Sequence, residues 1–440
     1  MAGTLLRRAA TILGAALGVL ALGAGSAFGS GGAPFDGTQG LAKTNAGSPL
    51  ATSPFALGVD LSSLGVSPAD FLSVGLAGAT ATSAGSGPHM YIVDDNMLDC
   101  PNAQFTSIKA AVMAAGPGDS VKVCPGTYIE QVVIGPGKDG LQVFSEVPQA
   151  AIIKAPVVMA PPSAIVLVDG STDVTIRHFT VTGPYFVSGC TVQRHTGVRV
   201  ASGSATIYGN HITQIRAADP TLFGCQDGVG VLVGRALELQ AGTATVRQNL
   251  VDEYQKGGIV VDGQGSFADV RQNEVVGSGA TPITAQNGIQ VSRDAHATVD
   301  HNRVRGNVFG VPVSDTDAAD ASGIILYNLS GGVQASYNDV YGNEDGVLID
   351  AIPGDFHVGS TTGVEISHNN SHDNALYGVV AGTDTSENPI AYNRLFGNGL
   401  FDCADYSAGP YNSPANVANP WTNDQGSSEN RPGLCRKATP

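Results

Sequence analysis

The sequence predicts an all-β solenoid, a chain of short strands wound into stacked coils. A short helix caps its N-terminal end and a disulfide-tied segment caps its C-terminal end. Three observations predict this. Two short sequence elements alternate in strict order over more than 180 residues. The β-branched runs inside them are four to six residues long, too short for helical repeats. Glycine accounts for 58 of 440 residues, about twice its usual ~7% share, so tight bends recur along the chain.

The first segment reads as an export signal. Met1–Arg8 carries Arg7 and Arg8, Ala9–Leu22 is largely apolar, and Ala24-Gly25-Ser26-Ala27 supplies small residues for cleavage after Ala27. The apolar run is short for a bilayer span, so residues 1–27 are expected to be a signal peptide and the mature chain to be secreted without a transmembrane segment. Residues 28–87 are a Gly/Ala/Ser-rich lead-in. Six cysteines in an exported chain suggest three bridges. Fifteen pairings exist, and proximity suggests Cys100–Cys124, Cys190–Cys225 and Cys403–Cys435. No C-x-x-C pair supports structural zinc.

Order is expected from Pro88. Ile108, Ala111, Val112 and Ala115 have helical spacing, with Thr106 or Ser107 as N-cap and Gly116-Pro117-Gly118 as stop. Asp119–Cys124 alternates as a strand, Pro125-Gly126 turns, and Val132–Ile134 opens another strand.

The repeat then takes over. One element ends in asparagine: Asn210, Asn249, Asn273, Asn302, and less cleanly Asn338, Asn369 and Asn393, spaced 24 to 39 residues apart. The other is Gly before β-branched residues, at Gly197, Gly230, Gly258, Gly288, Gly323, Gly346 and Gly378. A coil of about 24 residues accommodates three short strands and three turns. An asparagine at one bend of each coil is expected to take αL geometry and to bond its counterpart one rung away. Longer gaps mark insertions at Ala217–Asp227, Pro282–Asn287, Val313–Ser322 and Ile352–Thr362. The solenoid is expected over residues 88–398 and an irregular cap over 399–440, with Trp421, Tyr406 and Tyr411 either covering the open end or offering a sugar-stacking platform.

The segment Phe105-Thr106-Ser107-Ile108, with Gly118-Asp119, Val121-Lys122-Val123 and Pro125-Gly126-Thr127-Tyr128-x-Glu130, closely resembles the start of pectin-lyase-like β-helices, among them pectin methylesterases and many secreted bacterial β-helix repeat proteins. The Asn and Gly-Ile elements resemble the generic repeats of that superfamily. The resemblance implies a right-handed parallel β-helix with an N-terminal helical cap, commonly acting on acidic polysaccharides. It carries over no functional residue. The Asn-Thr-Asp-Gly, Gly-His-Gly, Asp-Pro-His-Asp and Trp-Ile-Asp-His segments of its better-known enzymes are absent.

Charge narrows the partners. With 22 Lys+Arg against 38 Asp+Glu and a formal charge of −16, the chain is a poor binder of nucleic acid, and an extracellular polysaccharide is the expected partner of a monomer. Aligning coils by the Gly-Ile element places Asp262, Ser292, Tyr327 and Asp350 in one column on an outer face, Arg293 and Asn328 in the next, and Asp294 beyond; the Ile352–Thr362 insertion adds Asp355 and His357. Such a column suits catalysis on a uronate. Arg293 would neutralise the carboxylate, His357 or an aspartate (Asp262 or Asp350) would take a proton, and Tyr327 would protonate the leaving oxygen, with Asp294, Asn328 and Asp355 binding. It also suits the ordinary polar, solvated edge of a solenoid, which any run of such coils would provide. Asp315, Asp317 and Asp320 could hold calcium, although the Gly and distal Glu of a calcium loop are missing, or form a solvated acidic loop. Three functions follow: a polysaccharide-interacting protein, a polysaccharide lyase or glycoside hydrolase, or a structural or adhesive solenoid.

Overall fold

The computed structural model describes residues 87–314, 319–352, 355 and 359–437. The segments read as signal peptide and lead-in lie outside the described residues, as do Asp315, Asp317 and His357. Strands of the described region form three parallel columns. Two of them merge into a 20-stranded sheet, because Ala164–Arg177 and Thr196–Tyr208 each run continuously from one column into the next; the third is a separate 10-stranded sheet. Successive coils pair in parallel, as in Val231 beside Ile259, Ile259 beside Ile289 and Ile289 beside Ile324. The inward side chains stack into one continuous apolar core. The chain is a right-handed parallel β-helix.

Local chemistry explains each device. The N-terminal helix spans Ile108–Ala114 and buries Ile108, Ala111 and Val112. Ser107 caps it, accepting from Ala110 N at 3.2 Å. Glu130, the acid of the Pro-Gly-Thr-Tyr-x-Glu segment, accepts from Ile108 N at 2.8 Å and Lys109 N at 3.0 Å, so a carboxylate just past the Gly126–Ile129 strand satisfies orphan donors of the first turn. Glycine opens the Gly-Ile strands because no side chain fits. A Cβ on Gly230 would lie 2.5 Å from Val251 Cγ1 and 2.7 Å from the Gly258 carbonyl one rung on.

The asparagine ladder runs unbroken. Nδ2 of Asn210, Asn249, Asn273, Asn302, Asn338 and Asn369 each donates to Oδ1 of the next rung at 2.9–3.1 Å. Each Oδ1 also accepts the backbone N–H of the preceding asparagine, as for Asn302 N to Asn338 Oδ1 at 2.9 Å. These buried amides are therefore satisfied. The αL expectation is corrected by one position. The positive-φ residues are Gln248, Gln272, His301, Tyr337, His368 and Tyr392, each immediately before its asparagine. At that bend the rings of His301, Tyr337, His368 and Tyr392 stack outside at 4.9–5.2 Å.

A second internal ladder, five residues further along each coil, joins Asn307, Asn343, Asn374 and Asn398. Both ladders end on aspartates: Asn393 on Asp424 Oδ1 at 2.8 Å and Asn398 on Asp402 Oδ1 at 2.9 Å. The coil therefore does not stop at residue 398. Phe401–Asp405 pairs with Tyr377–Ala381, and Trp421–Thr422 with Ile390–Ala391. Trp421 is buried against the core and donates from Nε1 to Asp405 Oδ2 at 2.8 Å, so it is no sugar platform. The three disulfides are Cys100–Cys124, Cys190–Cys225 and Cys403–Cys435. Among the described residues, no helix is long and apolar enough to cross a membrane.

Candidate functional site

The column Asp262, Ser292, Tyr327 and Asp350 exists as one outward row of adjacent strand ends. Beyond it the chain bends sharply, with Arg293, Asp294 and Asn328 all at positive φ. This bend brings Arg293 back over the row. Its Nη1 donates to Asp262 Oδ1 at 2.9 Å and its Nε to Asp355 Oδ2 at 3.0 Å, while its guanidinium lies 5.4 Å from the Tyr327 ring centroid. Burial opposes the charge of Arg293, but the Tyr327 oxygen and the carboxylates of Asp262 and Asp355 hold its pKa above the ordinary value. Burial pushes the Tyr327 phenol and the Asp355 carboxyl upward, the latter against the pull of Arg293.

The residues divide by what they already bind. Asp262 is buried and accepts from Ser292 Oγ at 2.8 Å, from Arg293, and from Ala236 N at 3.0 Å. Saturated in this way, it is suited to holding the site rather than taking a proton. Asn328 is buried and donates to the carbonyls of Ile352 at 3.1 Å and Asp355 at 3.0 Å, while accepting from Ile352 N at 2.7 Å. It ties down the loop that presents Asp355, so its place is structural. Asp294 turns to Ser330. Asp350 shares the row beside Tyr327, and its carbonyl accepts from Thr361 Oγ1. Asp320 is partly exposed. Among the described residues the one cluster of three potential metal ligands is Cys100, Cys124 and Glu146, and two of these are joined as a disulfide.

The structure adds cations that the repeat does not signal. A cleft of about 170 Å³ beside this row is lined by Pro161, Pro162, Gln193, Arg194, Arg199 and Glu238. Arg199 projects outward from the strand and donates to Glu238 and Gln240; Arg235 donates to Glu238 and to the Val192 carbonyl. Arg194 Nη1 and Arg199 Nε are buried without a hydrogen-bond partner among the described residues. Burial, then the nearby Arg293, lower the Arg194 pKa against Asp227, Tyr327 and Asp262, so Arg194 joins the cleft electrostatically to the Asp262 row. Burial brings Arg235 down to about 10, and burial with Arg194 brings the Lys256 amine down to about 8. Behind Arg194, His195 Nδ1 meets Asp227 Oδ2 at 2.6 Å, and its ring stacks on Tyr185 at 4.3 Å. Cys190–Cys225 pins together the loops that carry Arg194 and Asp227.

Comparison with known proteins agrees with the architecture. Residues 235–417 match the family described as the right handed beta helix region. No curated protein matches the chain. Among solved structures, a pectate lyase is similar at 15% identity and a TM-score of 0.43, covering 81% of this chain and 80% of its own. The Dettilon tailspike protein has 15% identity and a TM-score of 0.47, covering 73% of this chain and 57% of its own. The pectin methylesterase from Aspergillus niger has 16% identity and a TM-score of 0.39, covering 66% and 86%. The class that the strand columns and the family match define is that of right-handed parallel β-helix proteins.

Proposed function

We propose that this protein is an extracellular binder of acidic polysaccharide, and that the Arg194–Arg199 cleft receives the glycan's carboxylates. The observation that carries this reading is Arg194 Nη1, buried and unpaired at the cleft. A buried cationic donor without a partner is unfavourable unless a ligand supplies the anion. Flanking rungs repeat every ~4.8 Å, which matches a repeating polymer better than a compact ligand. Three disulfides support an oxidising compartment.

The test is calorimetric titration with uronate oligosaccharides and neutral oligosaccharides of equal length, with and without calcium, the cation that an Asp315–Asp317–Asp320 loop would take. Uronates are expected to bind, and Arg194→Ala to weaken them at least tenfold. Equal binding of neutral and acidic chains, or indifference to Arg194→Ala, would overturn the reading.

A further inference from the structure

The outward positions just before the asparagine bend form a file of cations and aromatics. Pairing between rungs sets its order as Lys122, Phe144, Arg177, Tyr208, Arg247 and Arg271. The residues before them, among them Val143, Ile176, Ile207 and Val246, belong to the core, so the file faces outward. Four positive charges on six rungs, with no acid among them, stand out in a chain of formal charge −16. Acids from outside the file neutralise its ends. Glu146 pairs with Lys122 at 2.7 Å and Asp269 with Arg271 at 3.0 Å.

The middle is left charged. Among the described residues, Arg177 and Arg247 have no ion pair and no side-chain hydrogen bond. Each lies instead on a ring of the preceding rung, Arg177 at 4.4 Å from the Phe144 centroid and Arg247 at 4.2 Å from that of Tyr208. Stacking occupies the guanidinium face, restricts the side chain and leaves the N–H edge free for an anion. Stability alone does not explain the file, because Arg247 and Arg271 stand as like charges on adjacent rungs, an unfavourable pairing. Two residues back on the same strands, Thr175, Thr206 and Thr245 form a parallel outward file of hydroxyls.

We propose that this face is a second polysaccharide-binding surface, taking an acidic chain laid along the solenoid axis with an anionic group on every second sugar. It stands independently of the cleft. Arg199 pairs with Leu232 near the start of the Thr196–Tyr208 strand, and Tyr208 pairs with Arg247 at its end, in the other column. A pyranose in an extended chain is about as long as a rung is high, ~4.8 Å. Arg177 and Arg247 are two rungs apart with Tyr208 between them, so alternate sugars would bring their anionic groups to the two guanidinium edges. The sugar between them would lie at Tyr208, and ring hydroxyls would meet the threonine file. A chain charged on every sugar would set an anion at Tyr208, where no cation receives it.

The experiment titrates the full chain with three probes: an oligosaccharide carrying uronate on every second sugar, one carrying it on every sugar, and single-stranded DNA. Wild type is compared with Arg177→Gln/Arg247→Gln and with Arg194→Ala. The glutamine pair should weaken the alternating oligosaccharide by roughly tenfold or more. It should leave the fully charged one unchanged and the melting temperature close to wild type, since neither arginine is ion-paired. Arg194→Ala should do the converse. Unchanged affinity for the alternating chain in the glutamine pair overturns the second surface and leaves the cleft reading standing. Equal loss of both oligosaccharides in that variant overturns the alternation. Indifference to Arg194→Ala, with loss in the glutamine pair, overturns the cleft reading and supports this surface. DNA bound as tightly as the alternating chain, and released by the same glutamines, makes the file a general polyanion surface and overturns the proposal.

Discussion

Asn393 donates to Asp424 at the point where every earlier rung donates to another asparagine. The exchange of amide for carboxylate follows from ladder polarity. Each amide accepts from the rung before and donates to the rung after, and the final position needs only an acceptor. Asp424 meets that need, but it is fully buried, and desolvation raises its pKa to about 6.

This raised value sets a pH signature. The folded state holds the Asp424 proton more tightly than the unfolded chain does, so between about 4 and about 6 the folded state binds more protons and stability falls as pH rises. The effect is on the order of 3 kcal/mol. Asp94, Asp119 and Asp402 have lowered pKa values and contribute the opposite slope. The difference between wild type and Asp424→Asn isolates the term. Urea denaturation from pH 4 to 7 should show a difference that changes across this window; a constant difference would contradict the assignment.

Mid-ladder, Asn302→Ala removes the acceptor of Asn273 N and Nδ2 and the donor to Val270 O and Asn338 Oδ1. Buried donors left unsatisfied should cost about 3 kcal/mol. Chemical denaturation reads this directly, and a loss below about 1 kcal/mol would mean that water replaces the amide.

Arg293 and Arg194 should respond oppositely. Arg293→Ala strips a buried pair from Asp262 and Asp355 and should destabilise by about 3 kcal/mol. Arg194→Met removes an unpaired buried donor and should leave the melting temperature unchanged or raised, while glycan binding falls. Equal destabilisation by both would mean that Arg194 is as firmly paired as Arg293.

The Cys190–Cys225 bridge closes a 35-residue separation and anchors the loops bearing Arg194 and Asp227. The Cys190→Ser/Cys225→Ser double variant should lose about 3 kcal/mol and bind acidic oligosaccharide more weakly. Unchanged affinity at a temperature where the variant is folded would show that the bridge does not position Arg194.

How much was legible depended on periodicity. The Asn210–Asn393 ladder and the Asp262–Asp350 row recur every coil, so alignment alone placed them. The second ladder was equally open, at Asn302/Asn307, Asn338/Asn343, Asn369/Asn374 and Asn393/Asn398, each pair five residues apart. The last coil was hidden because Asp424 stands where the next asparagine of the ladder was expected, and without that coil Trp421 was open to two readings, a cover for the open end or a sugar-stacking aromatic. Arg194 and Arg235 flank strands outside the repeated elements, and their convergence is set by folding across 41 positions of chain rather than by local pattern. Asn328 and Asp262 sit in the expected row, but only the hydrogen bonds reveal that they hold the loops around it.

The strands of each coil pair with those of the coils directly above and below, and the asparagine columns present the same donor and acceptor at successive levels. A duplicated unit bearing the Asn-x-x-x-x-Asn spacing would therefore find matching partners on both sides, well away from the arginine cleft. The molecule is built like a ruler whose length evolution or design can change one graduation at a time.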